Sequence, residues 1–291
     1  YLPKSDTLEL LIRVSNYEHR RGGFWMPLKT GTFHSIQTNF TNQWFTSILT
    51  SGILFASFVF FLIFYLLDRR DSKLLMFAIL VLCLALRPFL SAPYLATIVE
   101  ISNWNLIIRG EYLILLFMIT SGMWLAYLIY PTRWFRKCAI AATAVFVPWV
   151  AAIVILPVRI FSWSVFGIQA VALVALIYVV SMSVRGIIKG NRTDILYFVA
   201  FLAIAFGVVS DIILSNALEE NQKLYILSFL ILVFVLIQAT LLMADWVRRG
   251  TEREKLSLQL EELNRSLESR VRERTREITE RTEELNARNE Q

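Results

Sequence analysis

"FTSILTSGILFASFVFFLIFYLLDRRDSKLLMFAILVLCLALRP" occupies residues 45–88 and decides the fold class. Two apolar runs, 45–67 and 74–92, flank the short loop "DRRDSK" at 68–73. A hydrocarbon layer of about 30 Å is crossed by about 20 apolar residues in a helix, so each run reads as a membrane span. The pattern recurs at approximately 104–130, 138–156, 161–184, 195–215 and 224–247, seven spans in all. Composition agrees. The 291 residues are 56% hydrophobic with a mean hydropathy of +0.57, more apolar surface than a soluble interior of this size takes up.

The loops orient the spans. "DRRDSK" (68–73), "PTRWFRK" (131–137) and "RGIIKGNR" (185–192) each hold three Lys or Arg. The alternate connections are poor: 93–103 holds none, 157–160 only Arg159 and 216–223 only Lys223. Positive charge is retained on the cytoplasmic side, so the N-terminus is expected outside and the C-terminus inside. Trp44, Trp104, Trp163 and Trp246 fall at span ends, where an amphipathic ring sits at the headgroup layer.

Several classes are disfavoured. A retinal protein needs a lysine in its last span, and 224–247 has none. Where a rhodopsin-type receptor carries an acidic-Arg-Tyr triplet, this chain has "LIYPTR". The net charge is +6, yet Arg248–Gln291 holds 11 basic and 11 acidic residues, so no nucleic-acid tail is indicated. Cys83 and Cys138 lie in or beside apolar runs without metal spacing, and no cofactor is expected. No nucleophile–base pair, phosphate loop or zinc motif points to catalysis within the chain.

Ahead of the spans, "LELLIRVSNY" (8–17) alternates apolar and polar residues as a strand does, and "GGFWMPLKTGT" (22–32) reads as a second strand after a glycine turn. Two strands alone are unstable, so they are expected to close a larger external β-sandwich, the chain being a fragment cut at both ends. His19, Arg20 and Arg21 read as a solvated hairpin turn. The stretch "VSNYEHRRGGFWMPLKTGT" followed by seven spans resembles bacterial seven-span receptors with diverse intracellular signalling modules. That resemblance implies a periplasmic sandwich that binds a small molecule or glycan. The expected organisation is an all-α seven-helix membrane domain at 41–247, the remnant of an extracytoplasmic β-sandwich with its linker at 1–40, and a parallel coiled coil at 248–291.

Four charges fall inside the spans, where ionisable groups are costly. Arg87 lies late in span two, Arg109 and Glu111 early in span three, and Asp211 late in span six. At about 1.5 Å per residue all four share the outer third of the bilayer. They form either a polar pocket that a ligand reorganises or an ion-pair cluster that pins spans two, three and six. Gln169 and Gln238 read as interhelical amides.

The tail holds the last signal. Apolar or small residues recur at Leu256, Leu260, Leu263, Leu267, Val271, Thr275, Ile278, Thr282, Leu285 and Asn289, a heptad seam with one extra residue near Val271. Pairs Glu261–Arg265, Glu268–Arg272, Glu277–Arg281 and Glu284–Arg288 stand at i, i+4. No proline follows Lys223 and Gly250 is the one glycine, so span seven is expected to continue into the tail with a weak point just past Trp246. "ERT" at Glu273-Arg274-Thr275, repeated at 280–282, resembles the signalling helix that joins bacterial sensors to output domains. The resemblance implies a homodimer that relays to a histidine kinase of a two-component system, with a diguanylate cyclase or phosphatase as alternatives. A transporter-like or structural membrane protein with an oligomerising tail is the competing reading. Signal transmission is assigned to Gly250, Leu267, Val271, Glu273, Arg274, Thr275 and Ile278.

Overall fold

The computed structural model describes residues 31–91, 104–216 and 220–289. Within them the chain forms eight helices: α1 (Phe33–Leu67), α2 (Ser72–Ser91), α3 (Trp104–Ile129), α4 (Arg133–Ile155), the one-turn α5 (Val158–Phe161), α6 (Ser164–Ile188), α7 (Arg192–Asn216) and α8 (Glu220–Asn289). The hairpin expected before the first span lies outside the described residues. Residues 33–40, ahead of the first apolar run, are already helical. Thr32 caps the chain there, its hydroxyl accepting from the Ser35 amide at 3.2 Å. Hydropathy marks where lipid begins, whereas a cap marks where the helix begins, and here the cap comes first.

Six stretches among the described residues are long and apolar enough to cross a membrane, among them α1, α4 and the α5–α6 stretch Val158–Ile188. The 25-residue α7 lies between the fifth and sixth of these. In the most apolar window of each of the six, only 17–44% of residues are buried. Phe45, Val147, Phe206, Phe229 and Leu236 are among the many large side chains turned outward. Such surface is untenable in water and ordinary in lipid.

Helix α3 is the hub. It packs on α2, α4 and α6, while α1 packs on α2 and α7 on α6. Its buried face runs from Ile107 and Tyr112 through Leu116 and Met123 to Ala126. Phe77 of α2 is fully buried and meets Phe61 of α1 edge-on, with ring centres 4.8 Å apart. Pro88 and Pro148 both stand inside helices that continue past them. In a membrane, neighbouring helices satisfy the backbone groups a proline frees.

The turn between α6 and α7 is glycine-made. Gly190 adopts φ +83°, its amide bonds Ile187 O at 2.9 Å, and the Asn191 amide bonds Gly186 O at 3.1 Å. A left-handed residue closing the helix in this way favours glycine. The turn fixes where Asn191 and Asp194 enter the bundle.

The chain divides into two compact units, Tyr1–Ala239 and Thr240–Gln291. Helix α8 belongs to both and is unbroken over 70 residues, Gly250 included. The last span runs on into the tail as one helix, as expected, through the weak point past Trp246. Arg249 pairs with Asp245 at 3.2 Å, and Arg248 reaches Asp245 and Glu252 at 3.7 Å each, so ion pairs span the turns around Gly250.

Candidate functional site: two polar layers and a long helix

The first polar layer sits where α3 begins. Arg109 and Glu111 are two residues apart, about 200° of rotation on a helix, so they face different neighbours. The Arg109 guanidinium donates to the carbonyls of Ile153 and Val154, at 2.7 Å for the latter, and stands 5.5 Å from the centre of the Phe161 ring. These carbonyls belong to the last turn of α4, where a helix lacks its own donors and its dipole favours a cation. Tyr112 adds a bond from its hydroxyl to Ser162 O at 3.1 Å and packs edge-on against Phe161 at 5.2 Å. Together they bind the α4–α6 connection to α3.

Arg87 and Glu111 lie elsewhere. Both line a small cavity of about 20 Å³ with Leu90 and Met118. Of the four charges grouped by depth, Arg87 and Glu111 line this cavity between α2 and α3, and Arg109 reaches the end of α4. The side chain of Asp211 lies outside the described residues. Gln169 is exposed. Gln238 is fully buried, and its amide has no protein hydrogen-bond partner among the described residues.

Replacing Arg109 by alanine leaves two carbonyls without their cationic donor. Hydrogen bonds to charged groups contribute about 1.5–3 kcal/mol, so a loss of about 2 kcal/mol is expected. At about 2–4 °C per kcal/mol for a domain of this size, Tm falls by about 6 °C in detergent or nanodiscs. Lysine keeps the charge and loses the fork, so its Tm falls between the two. A wild-type Tm for Arg109→Ala would remove this clamp from the account.

The second layer lies at the other end of α3, and the sequence reading did not anticipate it. The Tyr130 hydroxyl donates to Asp194 Oδ1 at 2.5 Å and stands 3.2 Å from Ser183 Oγ. Asn191 Nδ2 donates to Asp194 Oδ2 at 2.7 Å. The Tyr178 hydroxyl donates to Tyr130 O at 2.7 Å and lies 2.8 Å from Thr132 Oγ1, while its ring stacks on Phe135 at 3.8 Å. Thr132 also caps α4 by accepting from the Phe135 amide at 3.3 Å. One network thus joins α3, α4, α6 and α7. Asp194 is 5% exposed, and Gly186 makes room for it: a Cβ there would overlap the Asp194 carboxyl group and lie 2.9 Å from the Asp194 Cβ. A signal was available, since an aspartate two residues inside an apolar helix is costly unless paired. Its partner, 64 residues away, carried none.

The third element is the tail. Leu260, Leu263, Leu267, Val271 and Ile278 are all about half exposed or more. Thr275 and Thr282 donate their hydroxyls to Val271 O and Ile278 O at 2.8 and 2.7 Å. Bonding back to the preceding turn satisfies the hydroxyl locally, which suits threonine to an apolar seam. Arg265 holds Glu261 at 2.7 Å as expected, whereas Glu277 pairs with Arg274 at 3.3 Å, not with Arg281. Glu273 is exposed.

Apolar helices of this length and number, with polar side chains tied to one another across the bundle, define a multi-pass helical membrane protein. A family model described as 7TM diverse intracellular signalling matches residues 43–245, most of the chain. The chain belongs to that family and carries its transmembrane sensor domain, a component of signalling proteins. No match was found among curated proteins or among solved structures.

Proposed function

We propose that this chain is the core of a dimeric bacterial inner-membrane receptor. It passes an extracytoplasmic signal, from a small-molecule or glycan ligand, to a cytoplasmic output domain, a histidine kinase of a two-component system. The N-terminus is periplasmic and the three basic loops are cytoplasmic, which puts the Arg87–Glu111 layer near the outer surface and the Tyr130–Asp194 layer near the inner one.

The observation that carries the reading is the unbroken 70-residue helix. A helix spanning bilayer and tail can convert a shift of bundle packing into a shift beyond the membrane. Motions of 1–2 Å are what bistable helix packing supports. Its half-exposed leucine row supports pairing with a second copy, because an apolar seam on a single helix in water gains by burial against a partner. The extra residue near Val271 would offer two near-equal registers between which a small input selects.

Cysteine pairs test the dimer in native membranes. Leu260→Cys, Leu263→Cys or Leu267→Cys should give oxidised dimers on mild copper treatment, at least several-fold above Glu262→Cys on the flank. Equal yields at all four positions would argue for random collision and against a zipper.

A further inference from the structure

We propose that the helix bundle holds its own binding site for a single-chain amphiphile with an anionic head, a free fatty acid, in a cavity bounded by α2, α3, α6, α7 and α8. The cavity measures about 390 Å³, within the range of small-molecule sites. Its walls include Leu84, Met123, Leu176, Phe201 and Phe234, and among the described residues that line it Arg87 and Gln169 are the polar ones.

Those two polar groups share one end. Arg87 is the last lining residue of α2, and Gln169 the first of α6. Helices α3 and α6 run the same way, since Tyr112 meets Ser162 at one end and Tyr130 meets Ser183 at the other. The end of α2 meets the start of α3, where Arg87 and Glu111 line the same small cavity. The large cavity is therefore polar at the Tyr112 end and apolar towards Val179 and Ala126. The lining from Gln169 to Val179 spans ten residues, about 15 Å of helix. A volume of about 30 Å³ per water-sized group, close to a methylene, admits about a dozen carbons. One acyl chain fits and two do not.

Charge selects the head. Arg87 presents five N–H donors in a fixed fork that matches a carboxylate. A sugar would need many polar partners, and the described residues of these walls offer two. Entry is sideways: Gln169, Ala170 and Leu173 are exposed on the α6 side of a membrane-spanning segment, so the cavity opens onto the lipid phase from which a fatty acid partitions. This site is independent of the relay proposed above, because its test reads occupancy.

Photolabelling decides it. The full chain in phosphatidylcholine nanodiscs is exposed to dodecanoic acid with a chain diazirine, and in parallel to the matching dodecanol. The acid should label α3 and α6 peptides saturably and at least tenfold more strongly than the alcohol. Arg87→Leu should bring the acid down to the alcohol's level, and Arg87→Lys should keep part of the preference. Gly122 lines the cavity, and a Cβ there meets nothing within 4 Å, so Gly122→Phe fills the space without a clash at its first atom and should abolish labelling by both probes. Equal labelling by acid and alcohol in wild type, or labelling indifferent to Gly122→Phe, overturns the proposal. Phosphatidylglycerol competing as well as unlabelled dodecanoic acid would assign the cavity to phospholipid and overturn it equally.

Discussion

Alanine at Gly186 should destabilise this protein strongly. The new Cβ would overlap the Asp194 carboxyl group and crowd its Cβ at 2.9 Å, so moving the tip of a flexible side chain cannot relieve it. Asp194 must turn away and lose its bonds from Tyr130 and Asn191, or α6 and α7 must separate. Leaving buried polar groups without partners costs about 1–3 kcal/mol each, so a loss of about 3 kcal/mol is expected. At about 2–4 °C per kcal/mol, this corresponds to a Tm about 10 °C lower in detergent or nanodiscs. Asp194→Asn keeps the shape and can still accept from Tyr130, so its fall should be less than half as large. If Gly186→Ala melts with wild type, the network at this end holds nothing together.

Proline at Gly250 is expected to silence the receptor, whereas alanine there is not. Alanine is about 1 kcal/mol better than glycine inside a helix, and proline about 3 kcal/mol worse than alanine. The alanine methyl enters open space, so the swap stiffens α8 without a clash. Proline removes a backbone donor and strikes the preceding turn, breaking the helix between the span and the leucine row. The ion pairs of Arg248 and Arg249 are exposed or half-exposed and contribute under about 1 kcal/mol each, too little to compensate. If the chain relays to an output domain as proposed, the full receptor expressed in cells should lose at least tenfold of its response with Gly250→Pro and keep or increase it with Gly250→Ala. A proline variant that still responds normally would show that the signal does not travel through a continuous helix.

The apolar runs, the loops between them and the continuation of the last span into the charged tail were all legible in the order of residues. Each rests on a local property: length against bilayer thickness, or the absence of proline over a stretch. Local rules also misplaced details. Hydropathy put the start of α1 near residue 45, yet the Thr32 cap begins it at Phe33. Depth grouped Arg109 with Arg87 and Glu111, since rise along an axis says nothing of rotation about neighbours. Arg109 turns instead to the carbonyls of Ile153 and Val154.

From sequence alone came the membrane class, the basic character of three loops, the heptad row from Leu256 and the likeness to seven-span receptors, because hydropathy, charge and period are additive along a chain. Only the tertiary structure decided that Asp194 faces Tyr130, that Gly186 makes room for it, and that Arg87 lines one end of a largely apolar cavity. Such pairings join residues far apart in the chain and depend on which faces of packed helices meet. Rotation about a helix axis is set by the fit of all its neighbours at once, and no local run of residues encodes it.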